Sequence, residues 1–381
     1  MTKSYDFGSV IDRSGGDSMK WNKYAGRDVL PMWIADMDFP ASPEILAALG
    51  RRLVQGDLGY AVPSASLLEA VRAHLNREYG WAVDPDWFVW LPGLVTGINL
   101  ACRAVNSGVL SATPVYPPFL SAPGLAGLPL VSVPLRLAEK RWTWDFDALE
   151  AALTPDIRLL LLCHPHNPTG SVWNEEELSG LAAFCERRGL YVCSDEIHCD
   201  LVLDAGRRHR PFAALGHGFA ERCITLMAPS KTWNIPGMGC AFAVIPGSVL
   251  RRRFLHAMEG VVPHVNVLGF VAAEAAYREG HAWRMALLDV LRANRVRVEN
   301  AIKTMDGLAM THVEATYLAW IDARGLGVDD PTAFFEAHGI GLSCGRPFGA
   351  PGWVRLNFGC PERTLETGLV RMRRAVESVR R

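Results

Sequence analysis

Apolar and polar positions fall along this chain in blocks. Arg158-Leu159-Leu160-Leu161-Leu162-Cys163 is a continuous apolar run closed by a Pro/Asn/Gly turn, and Leu190-Tyr191-Val192-Cys193 and Cys223-Ile224-Thr225-Leu226-Met227-Ala228 repeat the pattern. Short apolar runs bounded by turn signals read as strands buried on both faces. Between the first two, Asn174-Glu175-Glu176-Glu177 opens a helical pattern through Arg188, with acid in its first turn and Gly189 at its end. Those are the start and stop signals of a helix. An earlier unit shows the same alternation, a strand over 87–91 and a helix over 94–105. Strands separated by helices imply parallel pairing with both faces covered, hence a three-layer α/β domain.

The tail differs in character. It predicts a long amphipathic helix over about 266–305, a strand at 317–321, a helix at 332–338, a strand at 353–358 and a terminal helix to residue 381. This is an α+β pattern and suggests a second, smaller domain. The expected division is a large domain over 46–280, with 1–45 and 281–381 forming an N-terminal arm and a small C-terminal domain.

Composition narrows the class. The 381 residues are 49% hydrophobic and 21% charged, as in an ordinary globular protein. A net charge of −1 gives no electrostatic footprint for nucleic acid or an anionic membrane. The Arg51-Arg52, Arg207-Arg208 and Arg251-Arg252-Arg253 clusters are short and read as solvated faces. The first residues show no apolar signal region, and no stretch approaches a bilayer span. Nine scattered cysteines without a Cys-x-x-Cys pair fit a reducing, cytoplasmic compartment.

Candidate chemistry lies at the ends of the predicted strands. In open parallel sheets, ligands bind outside the carboxyl ends of the strands. Asn167 in HPHNPTG, Asp195 in SDEIH and Lys231 in APSKTW all fall just past such ends. Singly, each has a plain reading: turn chemistry for the Asn, a helix cap for the Asp, a snorkelling stem for the Lys. The lysine also has a chemical one, because burial lowers its pKa and makes the amine a nucleophile or base. Of the six lysines, the other five, Lys3, Lys20, Lys23, Lys140 and Lys303, stand in polar surroundings and read as solvated. An amide, a carboxylate and a buried amine on one edge suit pyridoxal 5′-phosphate, which needs a lysine for its aldehyde, an acid for its pyridine nitrogen and a donor to its ring oxygen. Gly93 and Leu94, between strand and helix, offer backbone amides for the phosphate, with a tight turn as the alternative.

The chain resembles the fold-type I pyridoxal-phosphate enzymes of the aminotransferase class I/II superfamily. PMWIADMDFP at 31–40, GYAVPS at 59–64, TPVYPPF at 113–119, HPHNPTG at 164–170, SDEIHCDL at 194–201, PSKTWNIPG at 229–237 and RLNFG at 355–359 are similar to the cystathionine β-lyase (MalY/PatB) branch of C-S lyases. The resemblance implies a large domain with a mainly parallel sheet. It implies that Lys231 carries the cofactor, Asp195 pairs with the pyridine nitrogen, Asn167 reaches the ring oxygen and Tyr116 stacks on the ring. His198 stands where related aminotransferases carry a tyrosine donor to that oxygen, and Ser230 is a further hydroxyl donor for the phosphate. Arg355 would grip the substrate α-carboxylate, with Asn167, Trp33, Ala35 and Asp36 bordering the substrate. Tyr60 would reach the phosphate of a neighbouring subunit, making the enzyme a homodimer with shared sites.

The sequence also departs from that family. Where many members carry a serine and a basic or polar residue facing the phosphate, this chain has Ala228 and Gly239, and the connection Asn106-Ser107-Gly108 is short. The implied reaction is elimination from a cysteine thioether, giving thiol, pyruvate and ammonia. An aminotransferase is the alternative within the same chemistry. The substrate stays open among cystathionine, cystine, S-alkyl cysteines, cysteine sulfoxides and another amino acid. Two readings of another class were weighed: a metal site from Cys193, Asp195, His198, Cys199, His164 and His166, whose spacing follows no standard pattern, and a binding protein on an enzyme fold. Intact Lys231 and Asp195 argue against the second.

Overall fold

The computed structural model describes residues 5–216 and 218–379. Its largest sheet has seven strands: β1 (Phe88–Leu91), β2 (Gly108–Thr113), β3 (Leu130–Pro134), β4 (Ile157–Cys163), β5 (Tyr191–Asp195), β6 (Cys223–Met227) and β7 (Ala241–Val244). Their spatial order is β1-β7-β6-β5-β4-β2-β3. The pairs from β6 to β3 are all parallel, and β7 runs antiparallel to both of its neighbours. The sheet is therefore mainly parallel, as expected. The early strand, β1, is an edge strand held only by the antiparallel β7.

The apolar runs are buried on both faces because successive side chains point to opposite sides of a strand. Leu160 and Leu162 of β4 join one core cluster, and Leu159, Leu161 and Cys163 join the other. Helix α1 (Leu94–Val105) lies over β1 and β4–β7 and carries Ile98 and Ala101 into the second cluster. Helix α2 (Glu175–Arg188) opens on a full capping box, with Asn174 and Glu177 exchanging bonds, and closes on Gly189 at φ 64.

The tail follows the predicted order with one break. The single helix expected over 266–305 is two, α3 (Val267–Glu279) and α4 (His281–Ile302). Gly280 lies between them, and a Cβ there would stand 2.3 Å from Trp233 Nε1, the atom that donates to the Gly280 carbonyl at 3.0 Å. The indole occupies the space that a side chain at 280 would fill. A smaller antiparallel sheet follows, ordered β8 (Ala309–Met310), β9 (Leu318–Asp322), β11 (Trp353–Asn357), β10 (Ser343–Cys344). The terminal helix α5 (Glu362–Ser378) packs on α4, and the last two residues of the chain lie outside the described residues.

Candidate active site

The register of the large sheet sets the site. Cys163, Asp195 and Leu226 are paired across β4, β5 and β6, so the loops bearing Asn167 and Lys231 leave the sheet on either side of Asp195. The small sheet supplies the opposite wall, where Arg355 of β11 is paired with Trp320 on one side and Ser343 on the other.

Lys231 donates from Nζ to the Ala35 carbonyl at 2.6 Å. Its amine is pulled down from 10.5 to about 8, chiefly by burial and by Arg355, against the opposing charges of Asp36 and Asp195. The nucleophilic reading of this lysine therefore has a physical basis. Asp195 is buried, accepts from the Ile197 N–H at 3.1 Å, and is pushed up to about 7, chiefly by burial. A carboxylate in that state gains from a cationic partner. His198 is buried and held neutral, pulled down to about 3 chiefly by burial. Its Nδ1 has no partner among the described residues, and its ring meets Tyr317 edge-on at 6.0 Å.

Arg355 is buried with a full set of contacts on one side. Nη1 donates to Asn167 Oδ1 at 2.8 Å, and Nη2 reaches the Trp33 carbonyl at 3.2 Å and Ser343 Oγ at 3.4 Å. The guanidinium lies over the Phe348 ring at 4.8 Å, while Nε has no partner among the described residues. Tyr116 is half-buried, and its N–H donates to the Asn167 carbonyl at 3.1 Å. Burial, first of all, raises its phenol, with Arg355 opposing. Trp33 is oriented by its indole N–H on the Lys20 carbonyl at 3.0 Å, and Asp36 by an ion pair to Arg13 at 2.6 Å.

These groups fit pyridoxal phosphate. Helix α1 starts at Leu94 with Gly93 as its cap and no side-chain hydrogen bond on its first turn, which leaves the amide end open to a phosphate. Lys231 could hold the aldehyde, Asp195 the pyridine nitrogen, and His198 and the Nδ2 end of the Asn167 amide the ring oxygen. Ser230 adjoins Lys231, but no side-chain hydrogen bond fixes its hydroxyl direction. The family's missing side chain at Gly239 has a backbone reason: Gly239 sits at φ 57, in the left-handed region that favours glycine, while its Cβ would find only ordinary contact, 3.4 Å from the Pro92 carbonyl.

Tyr60 does not join this group. It is fully exposed, at 102%, on the connection between the helices Pro43–Gln55 and Ala65–Tyr79. The metal alternative does not assemble: Cys193 and Cys199 belong to opposite core clusters, and His166 bonds Thr169 at 2.8 Å. One lysine expectation is corrected. Lys20 is 1% exposed and paired to Asp38 at 2.6 Å, because that partner, distant in sequence, is folded onto it. Lys3 lies outside the described residues. Sequence reasoning missed Tyr317, Ser343 and Phe348 as wall residues. Tyr317 was legible only as the start of a strand, yet the strand begins one residue later, after Thr316 at φ 76.

Comparison with known proteins gives the family. The family described as aminotransferase class I and II matches residues 28–372. Cystathionine beta-lyase PatB of Bacillus subtilis (strain 168) is 35% identical, over 97% of this chain and 100% of its own. The crystal structure of OvoB superposes with a TM-score of 0.96 at 51% identity, covering 98% of this chain and 100% of that one. The PLP-bound C-S lyase from Staphylococcus hominis superposes with a TM-score of 0.90 at 30% identity, covering 98% of each chain. With the match running from residue 28 to 372, through both sheets, the chain belongs to the aminotransferase class I and II family.

Proposed function

We propose that this protein is a pyridoxal-phosphate-dependent carbon–sulfur β-lyase that splits cysteine thioethers such as cystathionine, with water, into a thiol, pyruvate and ammonia. The observation that carries the reading is the meeting of a low-pKa amine, Lys231, with the buried carboxylate Asp195 of the large sheet and the buried guanidinium Arg355 of the opposite wall, both of whose charges act on that amine. The full-length likeness to a cystathionine β-lyase and to a PLP-bound C-S lyase supports elimination over amino-group transfer.

When bound, the cofactor supplies an electron sink for the bond broken at the α-carbon. Arg355 binds the α-carboxylate through the planar fork suited to it, backed by Asn167 and Ser343. Lys231, neutral in a useful fraction near pH 8, takes the α-proton. Asp195 stabilises a protonated pyridine nitrogen by charge, and His198 offers a neutral N–H to the ring oxygen. The buried walls keep water from these groups and strengthen each contact.

The same reading places the enzyme in the cytoplasm, in line with nine free cysteines, and makes it a homodimer. Tyr60 stands exposed beside Leu53, Val54, Leu58 and Val62, an apolar run suited to a second copy whose phosphate it would reach. The deciding experiment gives the purified holoenzyme L-cystathionine with no 2-oxo acid. Equal amounts of thiol and pyruvate over many turnovers are expected. Turnover only after an oxo acid is added, with no thiol from several cysteine thioethers, would leave an aminotransferase in its place.

A further inference from the structure

Two asparagines inside the quoted motifs have no part in the reading above, Asn234 of PSKTWNIPG and Asn357 of RLNFG. Both reach the same stretch of the N-terminal arm. Asn234 accepts from the Met37 N–H at 3.1 Å and donates to the carbonyls of Met37 at 3.1 Å and Phe39 at 2.7 Å. Asn357 is buried at the end of β11, and its Nδ2 donates to the carbonyls of Ile34 at 2.6 Å and Asp36 at 2.9 Å. Its Oδ1 accepts from the Gly359 N–H at 2.7 Å, which fixes the amide's direction. Every hydrogen of that Nδ2 is used.

The residue between those two carbonyls is Ala35. The Asp36 N–H donates to the Ile34 carbonyl at 2.8 Å, a three-residue turn centred on Ala35. In a trans peptide the carbonyl opposes the N–H. The Ala35 carbonyl must therefore point away from the one that Asn357 holds. On that far side it accepts from Lys231 Nζ at 2.6 Å and from Tyr317 Oη at 3.1 Å.

We propose that Asn357 is a positioning residue for Lys231: its amide locks the turn at Ala35, so that the Ala35 carbonyl orients the lysine amine whenever that amine is free of the cofactor. Asn234, in the loop that carries Lys231, ties the next residues of the arm to the same frame. The inference rests on Lys231 being the reacting amine. The charged groups facing that amine are Asp36, Asp195 and Arg355, and the titratable His198 also feels its charge.

The test reads Lys231 in cofactor-free protein by trace acetylation and peptide mass spectrometry across pH, with the exposed Lys303 as internal reference. Asn357→Asp keeps the size and the bond to Gly359 but turns an oxygen toward two carbonyls. It should change the Lys231 rate relative to Lys303 by at least about threefold, and in the holoenzyme lower kcat about tenfold, the worth of one hydrogen bond to a charged group. KM should move less than about threefold, since Arg355 keeps Asn167 and Ser343. Tyr317→Phe removes the competing donor without disturbing Asn357 and should raise the Lys231 pKa by about half a unit, a fraction of one hydrogen bond. It keeps the test open if Asn357→Asp fails to fold. A Lys231 profile unchanged in the folded variants overturns the proposal, as does a rise in KM with kcat intact. If the profile moves in cofactor-free protein while kcat stays at the wild-type value, the proposal also falls, because orientation of the amine then has no bearing on the reaction. Thiol release by the wild type without an oxo acid is scored separately, so failure here is distinct from failure of the lyase reading.

Discussion

Arg355 Nη1 and Asn167 Oδ1 are joined at 2.8 Å, so the small sheet's cation and the large sheet's loop amide form one unit. With Oδ1 committed to Arg355, the Asn167 amide turns its Nδ2 donor the other way. On the proposed reading, substrate anchoring and cofactor contact would depend on one side chain. Asn167→Asp would neutralise the guanidinium, and Arg355→Lys would lose the planar fork. Both should raise KM for the amino acid by about tenfold or more, the cost of one charge-assisted bond. Steady-state thiol release measures it, and an unchanged KM in Arg355→Lys removes that residue from the carboxylate site.

The two strongest functional groups cost the fold stability, in opposite pH ranges. Lys231 is lowered from 10.5 to about 8, so its penalty is full below pH 8 and gone above about 10.5. Asp195 is raised from 3.8 to about 7, so its penalty is absent near pH 3.8 and full above 7. In cofactor-free protein at pH 7.5, set roughly between these limits, Lys231→Met and Asp195→Asn should each raise Tm by about 2 °C or more while turnover is lost or severely reduced. The gain from Lys231→Met should fade toward high pH and that from Asp195→Asn toward low pH. Thermal scans across pH check both signs, and a lowered Tm at pH about 7.5 would contradict the burial argument.

Gly239 gives a prediction against intuition. Restoring a basic residue there should not strengthen phosphate binding, because a φ of 57 is a left-handed backbone that a long side chain holds only under strain. Gly239→Arg should weaken pyridoxal-phosphate affinity and cost about 1–3 kcal/mol of stability, the range for a strained backbone. Cofactor titration and urea unfolding test it, and tighter binding would show that the loop has room.

The edge trio was legible because continuous apolar runs announce parallel strands, and a parallel sheet gathers its strand ends on one side. Asn167, Asp195 and Lys231 needed only that rule. The opposite wall was not legible in the same way, since Tyr317, Ser343 and Phe348 come from short elements of the tail whose register no local pattern sets. Gly280 looked compatible with one helix, and the Trp233 indole, far away in sequence, fills the place of a side chain there. The turn at Ala35 has no sequence signal of its own: its partners are carbonyls held by Asn357, a contact across most of the chain.

Lys20 was misread for the same reason, and its burial makes a prediction. Its Nζ meets Asp38 Oδ2 at 2.6 Å and the Asp36 carbonyl at 2.9 Å, while Arg13 and Trp21 also reach Asp38. Lys20→Met would leave a buried carboxylate short of its closest partner and should cost about 3 kcal/mol, the lower end for breaking a buried pair. Lys20→Met with Asp38→Leu should recover part of it. Urea unfolding measures both, and a neutral single variant would show that Arg13 alone suffices.

The exposed Tyr60 carries the prediction that tests the assembly. If Tyr60 completes the phosphate site of a second copy, each site uses Lys231 from one subunit and Tyr60 from the other. Tyr60→Phe and Lys231→Ala homodimers should both be weak or inactive. In a mixed dimer, the Tyr60→Phe subunit contributes an intact Lys231 and the other subunit an intact Tyr60, so one of its two sites is whole. Equal mixing with free exchange makes about half the dimers mixed, and activity should recover to about a quarter of wild type. Co-expression with two affinity tags isolates the mixed dimer, which should hold about half the wild-type activity, one working site in two. Activity equal to the average of the two parents would mean that no site is shared between subunits, and a fully active Tyr60→Phe homodimer would leave Tyr60 outside the reaction.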